Sequence, residues 1–345
     1  MRTKDDLRQL QALPLELKIP LTKRRIVDWV NEFGVNGVYV SFSGGKDSTV
    51  LLHIVREIFP EVEAVFVNTG LEYPAIQHFV KTFDNVTILR PEMRFDEVIK
   101  KYGYPIIGKE VSNTIYDARR SIEKGQFDTT RVRKMLGEDY TMRFNHQKYK
   151  PLLYTDFIVS DKCCNIMKKK PMYAYEKKTG KVPILGQLAD ESLKRETAWL
   201  KTGCNAFDAK RPQSNPMAFW TEQDVLEYIK RYNIPIAAVY GEVVYQAEPE
   251  QMRLEDYGVK NCGTEPLCTT GLDRTGCIFC AFGAHLDKES RFERLKQTHP
   301  RQYEYCIGGG EYDENGVWKP NKQGLGMGHV FDELNKIYGD DFIKY

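Results

Sequence analysis

The chain has almost no net charge and no long apolar run. Fifty Lys/Arg stand against 48 Asp/Glu, a formal charge of +2 at pH 7. No global field therefore announces a nucleic-acid partner, and any basic surface must be local. No apolar stretch approaches the roughly 18–20 residues that span a bilayer. The opening MRTKDDLRQL is polar, without the apolar segment of a secretory signal. A cytoplasmic protein with no membrane contact is the expectation. Internal repeats and low-complexity tracts are also missing. The Walker phosphate loop is excluded, since its first glycine would fall on Val40 and its Ser/Thr on Asp47, and the G-x-G-x-x-G fingerprint is absent. None of the six histidines stands in a catalytic pattern; His53 falls in a helical stretch, and His285 and His329 lie in glycine-flanked segments.

What is present is an alternation. GVYVSF precedes the helical STVLLHIVREIF, EAVFVNTG precedes YPAIQHFVKTF, and NVTILR precedes FDEVIKKYG. Strands alternating with helices predict βαβ units and a parallel sheet, and continuous apolar strands such as 64–67 suit a sheet covered on both faces. The pattern returns with KVPILGQ and with TEQDVLEYIKRYNI, where Thr221 is an N-cap and Asp224 stands three residues on. The expected architecture is an α/β doubly wound parallel sheet with an irregular, Cys-rich C-terminal portion. Its divisions are an N-terminal helical segment over 1–30, a nucleotide-binding domain over 31–240 and a Cys-rich portion with closing helices over 241–345. Within the second, residues 119–150 carry nine Lys/Arg against four acids, as a basic insertion or lid, or as a solvated helical face.

The chemistry starts at SFSGGKDSTVLLH, Ser41 to His53, directly after the first strand. Gly44 and Gly45 let the backbone turn its N–H groups inward as an anion nest, and the following helix adds its positive end. Ser41, Ser43, Ser48 and Thr49 can donate hydrogen bonds, and Lys46 supplies a charge. A plain strand-to-helix turn needs only two glycines and a serine; the added Lys-Asp-Ser argues for phosphate.

This stretch resembles the S-G-G-x-D-S signature of the PP-loop ATP pyrophosphatases, the adenine nucleotide alpha hydrolase superfamily. VNTGLEYP, 67–74, is similar to the V-D-T-G-x-x-x-P stretch of phosphoadenylyl sulfate (PAPS) reductases, with Asn68 where Asp is usual. LGQLADESLKRE resembles their G-x-R-x-x-E-S-x-x-R segment at Gly186, Glu191, Ser192 and Arg195, with Leu188 replacing the first Arg. NPMAFWTEQDVLEYIKRYNIPIAAVY is similar to their N-P-L-x-x-W-T-x-x-D-V stretch. The resemblance implies that Ser41, Ser43, Gly44, Gly45, Lys46, Asp47, Ser48, Thr49, Asn68, Thr69, Gly70, Gly186 and Arg195 bind ATP, adenylyl sulfate or PAPS. Lys46, Asp47 and Ser48 then carry the catalysis, with Mg²⁺.

Of eight cysteines, Cys163 and Cys164 are adjacent and cannot readily pair with each other, while Cys277-x-x-Cys280 has a metal-ligand spacing. Four thiolates suit zinc or an iron–sulfur cluster, and Lys162, Lys168, Lys169 and Lys170 favour thiolates beside them. A compact site of Cys262, Cys268, Cys277 and Cys280 is the other arrangement, and no metal at all is the third. CCNIMKKKP resembles the C-C-x-x-R-K-x-x-P motif of adenylyl sulfate reductases, which pairs with a later C-x-x-C. That implies a [4Fe–4S] cluster on Cys163, Cys164, Cys277 and Cys280, folded against the nucleotide edge. Cys204 reads as a buried small hydrophobe.

Reductases of this family attack with a cysteine in an E-C-G-[IL]-H motif, which does not occur here. Cys306, in YEYCIGGGEY, does not match it and reads as packed. RTGCIFCAFGAHLDKESRFERL instead resembles the PP-loop protein of DNA phosphorothioation systems. TMRFNHQKYKPLLY interleaves bases with aromatics, which suits single-stranded nucleic acid or a lid over nucleotide phosphates. The favoured expectation is sulfur transfer with cleavage at the ATP α-phosphate and pyrophosphate release. The alternatives are a sulfite-releasing reductase using Cys306 and thioredoxin, and a non-catalytic nucleotide sensor that regulates a partner. A nucleic acid, a sulfur-carrier protein and a second copy of the chain remain open as partners.

Overall fold

Val38–Ser41 forms β1, with Val38, Tyr39 and Val40 fully buried, because β-branched and aromatic side chains fill a sheet covered on both faces. The computed structural model describes residues 2–137, 145–246 and 266–345. Around β1 lie β2 (Ala64–Val67), β3 (Val86–Leu89), β5 (Val182–Leu185), β6 (Asn205–Ala206) and β7 (Gln213–Ser214). Their order is β3-β2-β1-β5-β7-β6, parallel except for the β6–β7 pair. β4 (Ile106–Ile107) belongs to another sheet. The fold is thus α/β with a mostly parallel central sheet, as the alternation predicts. Strand order reverses at β1, whose Ser41 pairs with Val65 of β2 on one side and Leu185 of β5 on the other. Ligands of open α/β sheets bind at such a point, beyond the carboxyl ends of the strands.

The chain forms two compact units, neither a single stretch. The first comprises Met1–Asn68, Glu72–Leu89 and Tyr173–Thr275; the second comprises Thr69–Leu71, Arg90–Met172 and Gly276–Tyr345. In the first, the helices Lys4–Gln11 and Leu15–Phe33 join the sheet's own core through Leu7, Ile26 and Trp29. Thr221 caps the helix Glu222–Arg231 in a reciprocal capping box with Asp224. β8 (Val243–Tyr245) and β9 (Leu267–Thr269) form an antiparallel pair.

Buried Lys18 donates to Asp224 at 2.6 Å and to the Gln11 carbonyl at 2.7 Å. Breaking one side of a buried ion pair leaves an uncompensated charge, so Asp224→Ala is expected to cost about 3–5 kcal/mol. Urea unfolding measures it; a loss no larger than that of Glu227→Ala, on the same helix, contradicts the assignment.

In the second unit β4 pairs in parallel with β10 (Ala281–Phe282), and β11 (Glu311–Tyr312) forms a hairpin with β12 (Trp318–Lys319). The basic segment is largely packed rather than a wholly solvated face: helix Thr130–Leu136 buries Val132 and Met135, and the 3₁₀ turns of 147–153 bury Leu152 and Leu153. Residues 138–144 of that segment lie outside the described residues. Among the described residues no helix is long and apolar enough to cross a membrane.

Candidate functional site

In the first unit, the loop leaving β1 is tied by its own side chains. Ser43 N–H donates to Ser48 Oγ at 3.2 Å, and Gly45 N–H to Ser43 Oγ at 3.3 Å. The Ser48 and Thr49 hydroxyls donate to the Gly45 carbonyl at 2.9 and 3.0 Å. These two hydroxyls, expected to meet the ligand, brace the turn. Gly44 has φ +72°, and a Cβ there would lie 2.8 Å from Val80 and 2.9 Å from Ile76, so only glycine makes this turn without displacing the core. Gly45 is the N-cap of the 13-residue helix Lys46–Ile58, whose positive end therefore opens at the loop. Gly186, one residue past β5, lies so close that a Cβ would come 3.1 Å from the Asp47 carbonyl oxygen. Structure thus brings Ser41, the 43–49 loop and Gly186 together at the reversal of strand order.

Charges around the loop are matched in pairs. Lys46 is buried, with Nζ 2.8 Å from Glu222 and 3.8 Å from Asp47. Arg195 pairs with Glu191, which also meets Arg274 at 2.9 Å. Desolvation lowers the Arg195 pKa and Arg274 adds to the shift, while Asp47 and Asp190 oppose it. The Asp190 carboxyl is pushed up, chiefly by desolvation. Tyr240 reaches the loop as well: its hydroxyl is 2.6 Å from Thr275 Oγ1 and is bonded to the Lys46 backbone, and burial raises its pKa. Glu222, Tyr240, Arg274 and Thr275 were missed by sequence reasoning. Glu222 sits at an unspecified position of W-T-x-x-D-V, and nothing local marks the others. Leu188, at the missing arginine, is buried and its N–H donates to Glu191.

Asn68 directly follows β2 and its N–H donates to the Leu89 carbonyl. Thr69 and Gly70 fall in the second unit, where Thr69 Oγ1 accepts from Leu71 N–H at 3.2 Å.

In the second unit, Cys163, Cys164, Cys277 and Cys280 line one small cavity with Leu71, Phe95, Pro105, Met167 and Lys168. The first pair opens a helix that continues through a π-helical turn, Asn165–Lys169; π turns are rare and concentrate at functional sites. The second pair is a tight turn in which Cys280 N–H donates to the Cys277 carbonyl at 3.0 Å and Ile278 N–H to the Leu71 carbonyl at 2.7 Å. Arg291, paired with Asp287, donates to the carbonyls of Cys280 and Phe282 at 3.1 Å each. The DKES segment therefore serves the C-x-x-C turn.

Cys163 donates to Cys164. The bond lowers Cys164 against desolvation, with Lys109 and Lys168 assisting, while Cys163 is raised by the same bond and by burial. Among the described residues, no three His, Cys, Asp or Glu side chains are arranged to hold a metal ion. The four thiols surround a cavity. A donor set of sulfur alone, walled by Leu71, Phe95, Pro105 and Met167 with the Lys168 cation beside it, suits zinc or an iron–sulfur cluster over a hard cation.

Cys268 lies in β9 of the first unit, and Cys262 is outside the described residues. Cys204 is buried. So is Cys306, its Sγ 3.5 Å from Met327 Sδ and its thiol pushed up by burial alone.

The family model described as phosphoadenosine phosphosulfate reductase domain matches residues 37–106 and 115–281. The chain is 26% identical over 216 residues to an adenosine 5'-phosphosulfate reductase of Staphylococcus haemolyticus, covering 62% of this chain and 70% of that protein. It is 23% identical over 224 residues to one of Staphylococcus epidermidis, covering 61% and 68%. A crystal structure of phosphoadenylyl-sulfate (PAPS) reductase from Candida auris, in complex with phosphate, aligns with TM-score 0.37 and 14% identity over 76% of this chain and 96% of that one.

Proposed function

Since this chain belongs to the phosphoadenosine phosphosulfate reductase domain family, a family of nucleotide-binding enzymes of sulfur metabolism, we propose that it grips the phosphate end of an adenine nucleotide with the 43–49 loop. We further propose that it cleaves ATP at the α-phosphorus, releasing pyrophosphate during sulfur transfer. The observation carrying this reading is the buried Lys46 ammonium at the N-terminus of a long helix that follows the strand where sheet order reverses. Backbone N–H groups and helix end are fixed before charge develops on the leaving pyrophosphate, so they cost no reorganisation, and the ammonium joins them once phosphate displaces Glu222. An acceptor oxygen forms a bond to the α-phosphorus as the bond to the bridging oxygen breaks, and the pair of electrons leaves with pyrophosphate. Asp47 and Asp190 are oxygen donors suited to Mg²⁺, which binds through few carboxylates and mostly through nucleotide phosphates.

Cys163, Cys164, Cys277 and Cys280 would hold the [4Fe–4S] cluster. When bound, such a cluster ties the two cysteine turns together and supplies a redox-active centre.

A second reading, sulfite release from adenylyl sulfate, is favoured by the names of the staphylococcal relatives. Burial of Cys306 argues against that residue as its nucleophile. Incubating the anaerobically purified chain with ATP, adenylyl sulfate or PAPS separates the two. Pyrophosphate from ATP supports the first; thiol-dependent sulfite without pyrophosphate replaces it with the second. Tight nucleotide binding with neither product is the signature of the sensor.

Glu222 holds Lys46 in the free chain, and bound phosphate must compete with it. Glu222→Gln is therefore expected to tighten ATP binding about tenfold, the equivalent of ~1.4 kcal/mol. Calorimetric titration measures it; unchanged or weaker binding contradicts the competition.

A further inference from the structure

We infer that a cavity of the first unit, remote in sequence from the loop motif, binds a free α-amino acid with an apolar side chain. The cavity measures about 360 Å³, within the range of small-ligand pockets. Its walls come from the N-terminal helices, the helix Leu193–Thr202 and the start of β6. None of its residues belongs to the loop or to the charge pairs around it, so the inference does not depend on the nucleotide reading.

Three chemistries meet there. Arg2 and Arg25 line the cavity, and both guanidiniums act on the same buried thiol, Cys204, whose pKa burial raises and these two cations lower. Arg2 lies over Gly203, where a Cβ would come 2.5 Å from its guanidinium carbon. Asp6 lines the cavity too, its carboxylate engaged by Thr3, so the lining charges balance, and the two guanidinium forks match the carboxylate of a ligand that is itself neutral overall. Asp28 also lines the cavity, one helical turn beyond Arg25. At 3.9 Å the Arg25–Asp28 pair is loose enough for each to take a partner. Asp28 thus offers an ammonium its counter-charge. The remaining wall is apolar, with Trp199, Phe207 and Phe219. Two cations and two carboxylates together select a zwitterion over an organic acid or a simple amine, and the aromatic wall selects an apolar side chain. A free amino acid carries all three features on one carbon.

The helix Leu193–Thr202 links this cavity to the loop's surroundings, since Arg195 and Trp199 stand one turn apart on it, and Lys4 holds it to the first helix through Glu196 at 2.6 Å. This places Trp199 as an optical reporter of occupancy.

The test titrates the full chain with L-phenylalanine, L-leucine and L-methionine, by calorimetry and tryptophan fluorescence. 3-Phenylpropionate, which lacks the ammonium, and phenethylamine, which lacks the carboxylate, serve as controls. The expected result is binding of at least one amino acid below ~1 mM, with both controls weaker by about tenfold or more, the scale of a lost charged contact. Arg25→Ala and Asp28→Ala should each weaken it by a similar factor. Phe207→Ala, at a partly exposed position whose ring also meets Trp29, should lower the melting temperature yet stay folded at room temperature, and weaken the apolar amino acids. No binding up to ~10 mM, equal binding of the controls, or binding unaltered in Arg25→Ala and Phe207→Ala would overturn the assignment. If Arg25→Ala unfolds, Arg25→Lys replaces it, and full affinity in that folded variant counts against a bidentate carboxylate contact.

Discussion

Lys46→Ala is expected to lower pyrophosphate release from ATP by about 10²–10³-fold, the effect of removing one preorganised electrostatic stabiliser from a site where charge develops. The side chain is buried and its ammonium meets Glu222 at 2.8 Å, so its position is set before substrate arrives. Its loss removes a cation from a place where water cannot substitute for it. Because Glu222 is half-exposed and can turn to solvent, the variant should keep its fold. Single-turnover assays with radiolabelled ATP, beside a melting curve, measure the effect. A folded variant that retains more than about a tenth of the rate would mean that the backbone N–H groups and the helix end carry the stabilisation alone.

Cys280→Ser should remove the metal altogether. Four thiols line the cavity and come from two turns held by separate contacts, the helical turn Lys162–Cys164 that runs into a π-helical one and the 277–280 turn clamped by Arg291. A serine oxygen is a poor match for a thiophilic centre. Anaerobic purification followed by iron, sulfide and zinc analysis is expected to find about four irons and four sulfides per parent chain. The same analysis should find close to none in Cys280→Ser, while Cys268→Ser, in β9, retains the full complement. Zinc with no sulfide in the parent chain, or loss of metal in Cys268→Ser instead, would reassign the ligands.

Much of this site was legible because its determinants are short-range. SGGKDS directly after an apolar strand already contains the turn, the helix start and the lysine, since glycine φ and helix polarity depend on neighbours in sequence. Thr221 and Asp224 cap a helix by the same logic. The two hydroxyls of Ser48 and Thr49 show the boundary of such reasoning. Their donor capacity was plain, but that both donate to the Gly45 carbonyl and brace the turn follows from the turn's geometry. The basic segment shows it again: its lysines and arginines left a wholly solvated face open, while the apolar residues spaced among them pack Val132, Met135, Leu152 and Leu153 inside.

By itself the sequence determined the α/β alternation, the phosphate-type loop and the presence of two cysteine pairs, because each is written in residues only a few positions apart. Only the tertiary structure decided the rest. It set Glu222 against Lys46, paired Lys18 with Asp224 across 206 residues, buried Cys306, and gathered Arg2 and Arg25 at Cys204. These pairings depend on how the sheet orders its strands and how the helices cover it. Burial then raises or lowers the worth of each charge according to which partner the fold supplies.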